Sequence, residues 1–187
     1  MTRIVAGALG GRRISAPPGD HTRPTSDRVR EALFGALRAL TDLAGARFAD
    51  LFAGSGAVGL EALSRGAGHV LLVEADARAA RVARENVAAL DAADAVRLVN
   101  AKVEQVLGAP PPGGPYDVVF ADPPYAVPDD KISAMLAALT DGGWLAPDAV
   151  VVVERSSRSP EVTWVPGITA VRSRRYGETT LWYGRRS

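Results

Sequence analysis

From Arg47 onward, short apolar runs alternate with segments of helical period, and this alternation constrains the fold more than any other feature of the chain. The pattern reads as a strand to Phe52, a helix Ala57 to Arg65, a strand Val70 to Glu74, a helix Ala77 to Leu90 and a strand Val96 to Asn100. A short helix near Val103 to Leu107, a strand ending at Ala121, a helix Asp130 to Leu139 and the apolar strand Val150 to Val153 follow. Strands separated by helices in this way imply a parallel, doubly wound sheet. The tail changes character: Ala170 to Tyr176 and Thr179 to Tyr183, joined around Gly177, predict a closing antiparallel hairpin.

The stretch before Arg47 is different again. Arg3-Ile4-Val5-Ala6 and Leu9 to Ile14 read as two short strands around a Gly-Gly turn, a basic hairpin. After the break at Pro17-Pro18-Gly19, Arg23-Pro24-Thr25-Ser26 supplies an N-cap, and Val29, Ala32, Leu33, Ala36, Leu37 and Leu40 recur at helical spacing, so one face of that helix is core. The expected architecture is α/β and Rossmann-like: a mostly parallel sheet with an antiparallel C-terminal hairpin, residues 23–187, preceded by a small N-terminal β-hairpin extension, residues 1–22. The proline-rich stretch Pro110 to Pro115 is read as a surface loop, since the strand after it continues the same sheet.

With 187 residues, 47% of them hydrophobic and 23% charged, the chain fits one compact domain with a small appendage. It contains no cysteine, which excludes disulfides and thiolate zinc sites, and its two histidines, His21 and His69, lack metal-ligand spacing, so no metal is expected. No leader-like segment and no run of about 20 apolar residues is present, so a soluble cytoplasmic protein without a membrane partner is expected, with monomer as the default. The net charge of +1 conceals an asymmetry: residues 1–47 carry eight Arg against four acids, residues 154–187 seven Arg against three acids, and residues 48–153 seven basic against fourteen acidic side chains. Two basic ends around an acidic centre suit a polyanion lying across a site built for something else.

Asp50-Leu51-Phe52-Ala53-Gly54-Ser55-Gly56-Ala57-Val58-Gly59 runs from strand to helix through glycines that let the backbone approach a ligand closely. Glu74, at the end of the next strand, can accept hydrogen bonds from two ribose hydroxyls. These features alone serve a dinucleotide or S-adenosylmethionine equally well. Three others favour the methyl donor. Asp50 suits the cationic amino acid half of S-adenosylmethionine and would repel a pyrophosphate. The motif begins about fifty residues into the chain, after a capped helix that can cover the cofactor. Finally, Asp122-Pro123-Pro124-Tyr125 follows the apolar run Val118 to Ala121, placing a carboxylate, a rigid bend and an aromatic plane at a strand end. That is an apparatus for holding a flat, amine-bearing ring.

On these motifs the sequence resembles the class I S-adenosylmethionine-dependent methyltransferases, and within them the RsmD family, which methylates the exocyclic N2 of a guanine in bacterial small-subunit (16S) ribosomal RNA. The resemblance rests on Arg3 to Arg13, Arg23 to Phe34, Asp50 to Gly59, Asp122 to Tyr125 and Arg175 to Tyr183. It implies S-adenosylmethionine as cofactor, contacted by Thr25, Asp50, Phe52, Gly54, Ser55, Gly56 and Glu74, with Asn100 and Ala101 flanking its adenine. Lys102 stands where many relatives carry a small polar or acidic residue for the adenine amine. Asp122, Pro123, Pro124 and Tyr125 are the expected catalytic group, and Arg3, Arg12, Arg13 and Arg23 the expected RNA contacts. The implied partner is ribosomal RNA within a small ribosomal subunit or an assembly intermediate. Asp-Pro-Pro-Tyr serves a DNA N6-adenine methyltransferase equally well, although little chain is left for a target-recognition region. A dinucleotide-dependent oxidoreductase leaves Asp-Pro-Pro-Tyr unexplained, and a non-catalytic RNA-binding assembly factor predicts that Asp122 is dispensable.

Overall fold

The computed structural model describes residues 2–16 and 26–187. Thr2–Arg3 (β1) and Arg13–Ile14 (β2) pair as a small antiparallel ribbon. The pairing is shorter than the two strands read from the sequence, because the intervening backbone spends its donors elsewhere. The Val5 and Ala6 amides donate to the Glu61 carboxylate at 2.8 and 3.1 Å, and the Leu9 amide donates to Ser64 Oγ at 2.8 Å. Ile4 and Ile14 lie in the same core cluster as the helix that follows.

That helix, Asp27–Leu40 (α1), starts at Ser26, whose side chain accepts from the Val29 amide. Its buried face carries Val29, Leu33 and Leu37, as the spacing predicts, together with Phe34 and Arg30, while Ala32, Ala36 and Leu40 are half-buried. The Arg30 guanidinium survives burial by donating to the Arg3 carbonyl and to Asp27, and it lies 3.5 Å from Glu61.

The main sheet is built from Arg47–Asp50 (β3), His69–Val73 (β4), Val96–Val99 (β5), Tyr116–Ala121 (β6), Leu145–Ser156 (β7), Ile168–Tyr176 (β8) and Thr179–Arg186 (β9). Their spatial order is β5-β4-β3-β6-β7-β9-β8. β3 to β7 are mutually parallel, and β9 enters antiparallel between β7 and β8. The helices are Ala57–Ser64 (α2), Ala77–Ala89 (α3), Val103–Leu107 (α4) and Asp129–Asp141 (α5). Alternate strand residues face two cores. Phe48, Val70, Leu72, Val118, Phe120, Val150 and Val152 pack with α1 to α3, while Ala49, Leu71, Val73, Val119, Ala121, Val151 and Val153 pack with α4 and α5. Coverage of both faces is why these strands read as continuous apolar runs.

Several boundaries depart from the sequence reading, two of them in the central strands. β3 ends at Asp50, two residues before Phe52, where the chain begins its turn. β7 begins at Leu145, five residues before Val150, and the register against β6 shifts between Tyr116 and Val118. Asp148, at φ +62°, accommodates the extra residues as a bulge. Among the described residues, no helix is long and apolar enough to cross a membrane.

Candidate active site

Strand order reverses between β3 and β6, where an open α/β sheet forms its crevice beyond the strand carboxyl ends. β3 delivers Asp50 to this point. Gly54 and Gly56 then take φ values of +55° and +86°, which L side chains resist, and turn the chain into α2. Asp50 is buried, and its Oδ2 accepts from the Gly59 amide at 3.2 Å. Its Oδ1 is also buried and has no hydrogen-bond partner among the described residues. Burial first of all, with the charges of Glu74 and Glu154 adding to it, pushes the Asp50 carboxyl up to about 7, against the opposing pull of the Gly59 hydrogen bond and the nearby Phe52 backbone. An orphaned carboxylate oxygen in a glycine-lined turn fits a cationic ligand group.

Glu74 closes the other side. Its Oε1 accepts from the Gly54 amide and its Oε2 from the Asp76 amide, both at 2.8 Å, so the carboxylate is held in place beside the glycine turn. Asn100, just after β5, donates from Nδ2 to the carbonyls of Glu74 and Ala75 at 2.8 and 3.1 Å, tying the two strand ends together. Ala101 beside it is half-buried and Lys102 exposed. Phe52 is half-buried against the second core, and Ser55 is buried, with its carbonyl accepting from Asn86 at 2.9 Å.

Asp122-Pro123-Pro124-Tyr125 emerges from β6, the neighbour of β3, with Asp50 in register with Phe120. Asp122 is half-buried, Pro123 buried and Pro124 exposed. Tyr125 is 43% exposed, an aromatic ring presented to solvent and not packed into the core. The loop is fixed from β7. Arg155 is buried and donates from Nη1 to the Pro124 carbonyl at 3.3 Å and from Nη2 to the Val127 carbonyl at 2.9 Å, with Asp129 Oδ1 at 3.8 Å. The Pro124 carbonyl also accepts from the Val127 amide at 3.0 Å.

The structure thus bonds Gly54, Glu74 and Asn100 into one group, holds Asp50 through Gly59 at the start of the same turn, and sets Asp122 to Tyr125 on the adjacent strand end. Arg3, Arg12 and Arg13 are exposed on the ribbon bonded to α2, and Arg12 donates to the Ala89 carbonyl at the end of α3. Arg23 and Thr25 lie outside the described residues.

Sequence reasoning missed three residues. Arg155 could have been noticed as a cation ending a run of four valines and Glu154. Glu61 is the only acid in the otherwise small and apolar α2. Asn86 carried no signal: it bonds both the Ser15 backbone and the Ser55 carbonyl, linking the N-terminal segment to the glycine turn.

Residues 2–185 match the family described as conserved hypothetical protein 95. The chain is similar to ribosomal RNA small subunit methyltransferase D of Escherichia coli, at 40% identity over 152 residues covering 81% of this chain and 73% of that protein. It is also similar to the protein of the same name from Haemophilus influenzae, at 33% identity with 86% and 82% covered. Among solved structures, the yhhF protein of Escherichia coli matches with a TM-score of 0.87 at 34% identity, over 99% of this chain and 97% of that one.

Proposed function

The chain belongs to the conserved hypothetical protein 95 family, which is the RsmD family, and from that membership we propose that it transfers a methyl group from S-adenosylmethionine to the exocyclic N2 of a guanine in bacterial small-subunit ribosomal RNA. The observation that carries this reading is the placement of Asp122 to Tyr125 at the end of β6, beside the Asp50–Gly59 turn that ends β3. That placement supports the reading because it would hold a methyl-accepting ring and a methyl donor on adjacent strand ends.

The donor residues divide the work. The buried Asp50 Oδ1 would take the cationic amino acid portion, the glycine turn would admit close backbone approach, and Glu74, held by the Gly54 amide, would accept from the ribose hydroxyls. When bound, S-adenosylmethionine supplies a sulfonium-activated methyl carbon, so the protein has chiefly to align an amine lone pair with it. Guanine N2 is a poor nucleophile because its lone pair is delocalised into the ring. Asp122 and the Pro123 carbonyl accept the two N2 hydrogens and favour the pyramidal nitrogen, while Tyr125 stacks on the base swung out of its helix. Asp122 can take the proton once the methyl group has moved, so strong general-base catalysis is not needed.

The test is methyl transfer from labelled donor to undermethylated small ribosomal subunits, to naked ribosomal RNA and to duplex DNA, with nucleoside mass spectrometry of the products. The expected product is N2-methylguanosine in subunit RNA, lost in Asp122→Ala while donor binding persists. N6-methyladenine in DNA would replace the target and keep the chemistry. Transfer undiminished in Asp122→Ala would overturn the assigned site.

A further inference from the structure

Among the described residues, β8 ends the main sheet, bonded on one side to β9 alone. Every residue from Thr169 to Arg175 is exposed, and three of the seven are arginines: Arg172, Arg174 and Arg175. No acid occurs between Glu161 and Glu178. Pairing places Arg172 opposite Tyr183 and Arg174 opposite Leu181, so these two share the α1 side of the sheet, and Arg175, opposite Thr180, points to the other side. The Arg172 guanidinium lies over the Tyr183 ring at 5.5 Å, and Arg175 Nε donates to the Gly177 carbonyl at 2.9 Å.

The strand directions put this row beside the reaction site. β9 and β8 meet at Gly177 and Glu178, at the same end of the sheet where β7 finishes, because Ser156 pairs with Thr179 and the Ser157 amide donates to the Glu178 carbonyl at 2.8 Å. Exposed Arg158 follows at that rim. β8 is three strand spacings from β6, roughly 15 Å from the end that carries Asp122. The row therefore begins at the catalytic rim and descends along an open edge.

We propose that Arg172, Arg174 and Arg175, on the outer edge of β8, form a phosphate track that grips the substrate RNA strand flanking the target nucleotide. This deepens the reading given under Proposed function and rests on it. Four features favour an RNA backbone as occupant: charge of one sign, exposure on both faces of the strand, outward-facing backbone N–H groups on the unpaired edge, and proximity to the site. A plainer role for charged edge residues is to keep the sheet from pairing with another copy. Charge of either sign serves that purpose, whereas phosphate binding needs positive charge, so reversal to glutamate separates the two.

The experiment compares the unmodified protein with Arg172→Glu/Arg174→Glu/Arg175→Glu, using a small-subunit ribosomal RNA transcript for binding and undermethylated subunits for methyl transfer. The expected result is at least a tenfold weaker transcript affinity and a matching rise in KM, with donor affinity and saturating turnover unchanged. The slope of log affinity against log salt should flatten by about 2 to 3. Unchanged affinity and salt slope would overturn the track, as would loss of subunit binding with transcript binding intact, which assigns the surface to a protein contact. Should the triple variant not fold, Arg172→Gln/Arg174→Gln should give a smaller loss in the same direction. Self-association of that variant with full RNA affinity would leave the arginines as an edge guard only and overturn the proposal. Transcript binding is read without turnover: if the unmodified protein binds but methylates nothing, the functional reading fails while the track is still judged by the variant.

Discussion

Arg155 reaches from the end of β7 to the carbonyl of Pro124, so the loop that presents Asp122 and Tyr125 is held by a residue from a different strand. Its second donor goes to Val127, and the two bonds together fix the loop between Pro123 and α5. Since displacing a reacting group by about 1 Å can cost about 100-fold in rate, Arg155→Ala should lower kcat by one to two orders of magnitude. KM for RNA and affinity for S-adenosylmethionine should change little. Arg155→Lys should restore part of kcat, and steady-state kinetics with donor titration separates this from general unfolding.

The buried Asp50 makes both stability and donor binding depend on pH. Its carboxyl is raised from 3.8 to about 7, so between those values the folded state holds a proton that the unfolded state releases. Stability without ligand should therefore fall as pH rises from 4 to 7, by up to about 4 kcal/mol. Asp50→Asn should flatten that profile and raise Tm at pH 8. A cationic donor favours the ionised carboxylate, so donor affinity should weaken as pH drops below 7 in the native protein. The asparagine variant should bind more weakly at pH 8 and show no such dependence. Calorimetry across pH 4 to 8.5 checks both.

Glu74 carries two duties, anchoring the Gly54 and Asp76 amides and, under the proposed function, accepting from the donor's ribose. Hydrogen bonds to a charged acceptor contribute about 1.5–3 kcal/mol, so Glu74→Ala should raise the donor Kd by roughly 10- to 150-fold. The Asp122 site lies on another strand and should keep its RNA affinity, measurable by mobility shift.

Gly59 lets α2 sit close against β4: a Cβ there would come 2.9 Å from Val70 Cγ1 and closer still to Leu72. Gly59→Ala gains about 1 kcal/mol of helix propensity but overpacks a rigid neighbour at a cost of about 1–3 kcal/mol. A net loss is expected, seen as a Tm lower by about 2–6 °C in a domain of this size.

Much of this arrangement was legible in the sequence because it is local. The parallel strands are apolar runs, the glycine turn needs left-handed residues at Gly54 and Gly56, and Ser26 caps α1 as an N-cap serine should. What escaped depends on distant partners. Glu61 and Asn86 act on backbone groups of the N-terminal segment more than fifty residues away. Arg155 acts on carbonyls about thirty residues away. Such bonds leave no periodicity, since any residue offers an amide or a carbonyl. The first part of β7 was missed because Pro147 and Asp148 look like a turn, and only pairing against β6 absorbs them as a bulge. The hairpin at the other end of the chain shortened for the same reason: its amides found α2 before they found each other.

The insertion of β9 between β7 and β8 also has a consequence for biosynthesis. A nascent chain leaving the ribosome can lay down β3 to β7 and even β8, yet the strand that joins β8 to the rest is made after both. Until residues 179–186 are translated, the β7 edge, including Val150 to Val153, has no antiparallel neighbour, and it is a template for aberrant pairing. Ribosomes stalled shortly before that stretch should therefore hold a chain prone to chaperone capture, and release of β9 should end the exposure in a single step.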